Sequence, residues 1–232
     1  MRKPKMMYSD IEGELRTGDI FLARGLRYIS RFIETMSGSN WSHSGMVIRP
    51  SDINMDYPNN EPLLWESTND DSVRDLLTRK FKTGPMLVPL RERIREDARS
   101  GYYKVFGIRY LQVERTQDMF ERPREVVHDP SVQSAEFPRY LSMVWQVVKE
   151  RFFGGVQAAP KTTYVCSELL SHTLQRMELM PLTPVAKSYI PRDYSAKGYA
   201  PFRRRATLGP EVYLGTKLGR STPPLVRLML HR

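Results

Sequence analysis

One cysteine in 232 residues rules out an internal disulfide. Nothing therefore points to an oxidising compartment. No apolar run approaches the ~20 residues that a membrane-spanning helix takes. The first ten residues are basic, but no apolar stretch follows them, so a secretory signal is not expected. The expected setting is cytoplasmic, with a virus particle as a second possibility. Histidine is scarce too. The chain has four, so few groups can exchange protons near neutral pH. Acidic residues number 26 against 36 lysines and arginines, for a net charge of +10. Residues 201–232 hold seven of the cations and a single glutamate, so +6 of the total sits there. Such a stretch suits an anionic surface or a protein partner. It also suits a merely solvated extension. Nucleic acid fits less well, because basic and aromatic residues do not interleave.

At this length, with 40% hydrophobic residues, the chain can bury one full core. The expected division is a leader at 1–14, a domain at 15–200 with an insertion at about 114–136, and a basic C-terminal extension at 201–232. Ile20 to Ala23 reads as a buried strand after the Gly18-Asp19 turn. Leu26, Ile29, Ile33 and Met36 have helical spacing. Trp41 to Ile48 reads as a strand with His43 at its head and Gly45 marking a close backbone approach. The stretch 50–62 is a polar loop, and 63–67 is a second strand forming a hairpin with the first. Residues 71–81 suggest a helix and Met86 to Leu90 a short strand. The mixed charges of 91–99 suggest a solvated helix face. Tyr102 to Val113 should supply one or two strands, and 137–153 a helix.

The chemistry centres on Tyr164-Val165-Cys166-Ser167-Glu168-Leu169-Leu170. Leu169, Leu170, Thr173, Leu174 and Met177 form a helical stripe, and Thr163 to Val165 favour extended backbone. Cys166 thus opens a helix, where unpaired N–H groups and the macrodipole favour thiolate. The plainer reading is a buried thiol acting as a small hydrophobe. A nucleophilic cysteine needs a base, and the base needs an orienting group. His172 lies two turns along the same helix and cannot reach back. His43, flanked by serines and a glycine, is the best-placed candidate. Glu66, on the strand expected to pair with that of His43, can accept the second ring N–H. Asp19, at another strand start, is the rival orienter. Glu168 reads as structural, bonding a backbone turn.

Leu-Arg-Thr-Gly-Asp-Ile-Phe-Leu (15–22), Asn-Trp-Ser-His-Ser-Gly-Met-Val-Ile (40–48), Leu-Trp-Glu-Ser (64–67) and Tyr-Val-Cys-Ser-Glu-Leu-Leu (164–170) occur in that order. Together they resemble the circularly permuted branch of the NlpC/P60 papain-like superfamily, the group of YiiX-like hydrolases and their poxvirus relatives. In that branch the histidine strand precedes the cysteine helix. The resemblance covers about residues 15–180. It implies an α+β fold, with an antiparallel sheet or half-barrel packed against the cysteine-bearing helix. It also implies a thiol peptidase, amidase or lipid acyl hydrolase, with Cys166 as nucleophile, His43 as general base and acid, and Glu66 as orienter. The Cys166 N–H would be one oxyanion donor, and the second is unassigned. Trp41 and Tyr164 either wall the cleft or pack in the core. The substrate would be a peptide, an amide or a lipid acyl group, and neither metal nor organic cofactor is required. The alternative is a structural or interaction protein on the same scaffold, such as a virion component that binds a partner through its tail.

Overall fold

The computed structural model describes residues 5–25, 41–138 and 163–215. Its centre is a seven-stranded sheet. The strands are β1 (Lys5–Met6), β2 (Ile20–Gly25), β3 (His43–Ile48), β4 (Leu63–Thr68), β5 (Gly84–Pro89), β6 (Tyr103–Arg109) and β9 (Val212–Leu214). Their order is β1-β9-β6-β2-β3-β4-β5, and every pair is antiparallel except β1 with β9. Two short strands, β7 (Leu111–Gln112) and β8 (Thr207–Leu208), pair separately. The helices are α1 (Tyr8–Ile11), α2 (Leu90–Ser100), α3 (Gln117–His128), α4 (Pro130–Gln133) and α5 (Cys166–Arg176). This is the expected α+β class, with the cysteine-bearing helix packed on β3 and β4.

Both faces of the sheet are covered, so alternate side chains enter two different cores. Ile20, Leu22, Met46, Ile48, Leu63 and Trp65 point to the α5 side and meet Leu169, Leu170 and Leu174. Phe21, Ala23, Val47, Leu64, Met86 and Val88 point the other way, toward Tyr8, Ile11, Leu90 and Ile94. With both faces buried, strands such as Ile20 to Ala23 read as continuous apolar runs.

Several elements depart from expectation. The stretch 71–81 makes turns, not a helix. The Asp75 carboxylate accepts the Thr78 N–H and hydroxyl at 3.0 and 2.6 Å and the Leu87 N–H at 2.9 Å. A side chain that bonds local backbone in this way competes with helix formation. Residues 114–136 hold α3 and α4. Met119, Pro123, Val126 and Val127 form a buried stripe that the intervening charges conceal in the sequence. The sheet also draws on chain outside 15–200. Lys5 and Met6 pair with Tyr213 and Leu214, and Phe106 to Ile108 pair with Val212 to Leu214. The helices expected at 26–36 and 137–153 lie wholly or mostly outside the described residues.

Candidate active site

Cys166 is the first residue of α5, as its sequence context implied. The extended N-cap residue Val165 gives its N–H to the Glu168 carboxylate at 3.3 Å, so Glu168 serves the helix turn. The helix is held to the sheet by polar anchors as well as by its leucines. Trp65 Nε1 donates to Thr173 Oγ1 at 3.1 Å, and Ser67 Oγ donates to the Tyr164 carbonyl at 2.6 Å. On the opposite side Ser167 Oγ donates to the Tyr189 carbonyl at 2.8 Å. The residue before the cysteine helix and the helix itself are therefore both fixed relative to β4.

The β3–β4 pairing stops at Met46 opposite Trp65. Gly45 permits the close approach there. A Cβ at that position would lie 2.8 Å from Leu64 Cδ1 and 3.0 Å from the Trp65 carbonyl. Beyond this point His43 and Glu66 meet on the α2 face of the sheet. His43 Nε2 and Glu66 Oε2 are 2.5 Å apart, with the two side chains 3% and 1% exposed. Nε2 is thereby engaged, and the His43 ring is also hydrogen-bonded to Cys166. Nδ1 is the nitrogen left for the sulfur. Tyr103 stacks on the imidazole at 5.2 Å between centroids, and Phe21 meets it edge-on at 6.4 Å. These rings restrict the imidazole to one plane.

The electrostatics follow from this chain of contacts. Burial raises the Cys166 pKa. The hydrogen bond and charge of His43, with the Ser44 and Ser167 N–H groups, outweigh burial and bring it below the ordinary thiol value. Burial alone would lower the His43 pKa, but hydrogen bonds and charges from Cys166 and Glu66 push it up to about 10. For Glu66 burial raises the pKa, and the Arg93 charge and His43 hydrogen bond bring it below the usual carboxylate range. Each of the three shifts favours the charged form: thiolate, imidazolium and carboxylate in a row.

Asp19, the rival orienter, is engaged elsewhere. Its carboxylate accepts the Arg16 and Leu111 N–H groups, both at 2.8 Å, and stitches β2 to β7. His172 packs against Tyr164 at 5.7 Å. Trp41 is 2% exposed, bonds Glu211 at 3.0 Å and lies against Tyr213. Tyr164 is likewise buried.

No protein-family model matches this sequence, and no curated protein matches it. Among solved structures it is similar to the metalloprotein YiiX from Escherichia coli O157:H7. That likeness has 16% identity and a TM-score of 0.39, over 70% of this chain and 66% of that one. The chain thus covers just under two thirds of that protein. Among the described residues, no group of three or more His, Cys, Asp or Glu side chains is arranged to hold a metal ion. Among the described residues, too, no helix is long and apolar enough to cross a membrane.

The structure adds residues to the site that sequence reasoning missed. Arg93 is buried behind Glu66, and Asp97 is buried beside Arg93. Both lie in the stretch read as a solvated helix face. They belong instead to the buried stripe Leu90, Arg93, Ile94, Asp97. Ser44, next to the histidine, is fully buried, and its hydroxyl has no hydrogen-bond partner among the described residues.

Proposed function

We propose that the chain is a papain-like cysteine hydrolase of permuted order, acting by acyl transfer through a thioester. The observation that carries this reading is the row Cys166, His43 and Glu66, in which the carboxylate bonds the imidazole and the imidazole lowers the pKa of the thiol. Cys166 is the nucleophile and attacks a substrate carbonyl carbon. The carbonyl π electrons move onto oxygen, and the N–H groups at the start of α5 are the nearest backbone donors for that oxyanion. His43 gives its proton to the leaving nitrogen or oxygen as the tetrahedral species collapses, leaving an acyl-cysteine. Water then attacks the thioester. His43 takes a proton from it and the thiolate departs. Glu66 keeps the imidazole in one tautomer and stabilises its cation throughout. The substrate class is a peptide, amide or lipid acyl group.

The test is the rate of iodoacetamide alkylation between pH 4 and 10, for the wild type and for His43→Ala. The expected result is alkylation at pH 6 at least tenfold faster than for a free thiol, lost on removing the imidazole. One pH unit in the thiol's midpoint corresponds to about 1.4 kcal/mol of thiolate stabilisation. A wild-type rate no higher than that of a free thiol at pH 6 sinks the hydrolase reading.

A further inference from the structure

Helix α2 lies on the face of the sheet away from the cysteine helix. Its inward stripe carries two ionisable side chains, Arg93 and Asp97, at 1% and 0% exposure. A buried guanidinium is costly unless its donors are used and its charge is compensated. Here every nitrogen has a partner. Nε donates to Glu66 Oε1 at 2.6 Å. Nη1 donates to Asp70 Oδ2 at 3.1 Å and Ser72 Oγ at 3.3 Å. Nη2 donates to the Asp70 carbonyl at 3.4 Å and Met86 Sδ at 3.3 Å. Asp97 stands 3.9 Å from Nη1.

The decisive detail is how Glu66 is divided. One oxygen serves His43 and the other serves Arg93. A carboxylate held at both oxygens cannot rotate away from the imidazole. If Arg93 only tied α2 to the chain after β4, Asp70 and Ser72 would provide anchors without involving this carboxylate.

We propose that Arg93 is a positioning residue of the Cys166 site: from the far face of the sheet it fixes Glu66, and through Glu66 it holds the His43 cation beside the thiolate. The inference rests on the reading of Cys166 as a nucleophile. The charged and titratable groups around it are Cys166 on α5, His43 on β3, Glu66 on β4, Asp70 after β4, Asp97 on α2 itself and Tyr103 on β6. Arg93 is the permanent cation among them. Without it, burial leaves Glu66 able to stay ionised only through His43, so the carboxyl takes up a proton more readily. A neutral Glu66 no longer stabilises the imidazolium, and the thiolate loses its partner.

The experiment is the pH profile of iodoacetamide alkylation on the full chain, with folding checked by urea midpoint. The variants are Arg93→Met, Arg93→Lys, Glu66→Gln and the Glu66→Gln/Arg93→Lys double. Arg93→Met should move the acidic limb up by at least one pH unit, slowing alkylation at pH 6 tenfold or more. The limiting rate near pH 10 should stay within about twofold. Arg93→Lys keeps the charge but not the fork, so it should move the limb by a smaller amount in the same direction. In the Glu66→Gln background Arg93→Lys should have no further effect, because the path through the carboxylate is already cut. If Arg93→Met does not fold, the Lys variant and the double variant decide. An unshifted limb in every folded Arg93 variant overturns the inference, as does full additivity with Glu66→Gln. A wild type with an ordinary thiol profile overturns the hydrolase reading itself, so the two failures are distinguishable.

Discussion

Asp97 gives a sharp test of the buried charge cluster, because its carboxyl is placed where ionisation is costly. The side chain is fully buried, and neither carboxyl oxygen has a hydrogen-bond partner among the described residues. Burial pushes its pKa up. Arg93 opposes the rise, Glu66 adds to it, and the result is about 8 against an ordinary 3.8. Between those two values the folded chain keeps a proton that the unfolded chain has lost. Stability contributed by this group is therefore greatest below the unfolded value and declines as pH rises toward 8. Each pH unit in that window costs the folded state about 1.4 kcal/mol, so from pH 5 to pH 7 the loss is about 3 kcal/mol. Asp97→Asn removes the titration and keeps the shape. A buried amide without partners has its own cost of roughly 1–3 kcal/mol, but that cost does not vary with pH. The quantity to measure is therefore the change with pH of the difference between variant and wild type. Urea unfolding at pH 5, 6 and 7 gives it, since the other titrating groups largely cancel. The variant should gain on the wild type by about 3 kcal/mol across that range. A difference constant to within about 0.5 kcal/mol would refute the claim that Asp97 is stored as a neutral acid.

Two further substitutions probe the frame around the site. Gly45→Ala places a methyl 2.8 Å from Leu64 Cδ1 and 3.0 Å from a backbone oxygen. It should cost about 1–3 kcal/mol in urea unfolding, and an unchanged midpoint would mean that β3 and β4 do not need their close approach. Ser67→Ala removes the buried 2.6 Å bond to the Tyr164 carbonyl. A loss of roughly 1–3 kcal/mol is expected, together with faster hydrogen exchange at the first turn of α5; unaltered exchange there would show that the helix start is held by other contacts.

How much of this could be read from the chain alone depended on how local the signal was. The cysteine helix was legible because Leu169, Leu170, Leu174 and Met177 mark a stripe and Cys166 stands at its start. The approach of His43 to Glu66 was legible because the two strands are neighbours in sequence, so a hairpin was the economical assumption. Arg93 and Asp97 were hidden by composition. Among Arg91, Glu92, Arg95 and Glu96 they look like more surface charge. The missed signal was spacing, since both share the i, i+3, i+4, i+7 positions with Leu90 and Ile94. Asp75 was hidden differently, because its competing bonds reach the Leu87 N–H, twelve residues away. The pairing of β9 with β6 could not be read at all. It joins residues about a hundred positions apart through a three-residue strand with no alternation to mark it.

That last pairing also bears on synthesis. β6 ends at Arg109, and the strand that covers its open edge begins at Val212. Ribosomes add about 5–20 residues per second, so the backbone groups of Phe106 to Ile108 wait roughly 5–20 s for their partner. During that interval a nascent chain with β2 already in place offers a ready template to any neighbouring chain. The step most exposed to aggregation in making this protein thus lies at the sheet edge farthest from the hairpin that holds His43 and Glu66, and a folding helper that shields β6 until Leu214 emerges would raise the yield without touching the finished fold.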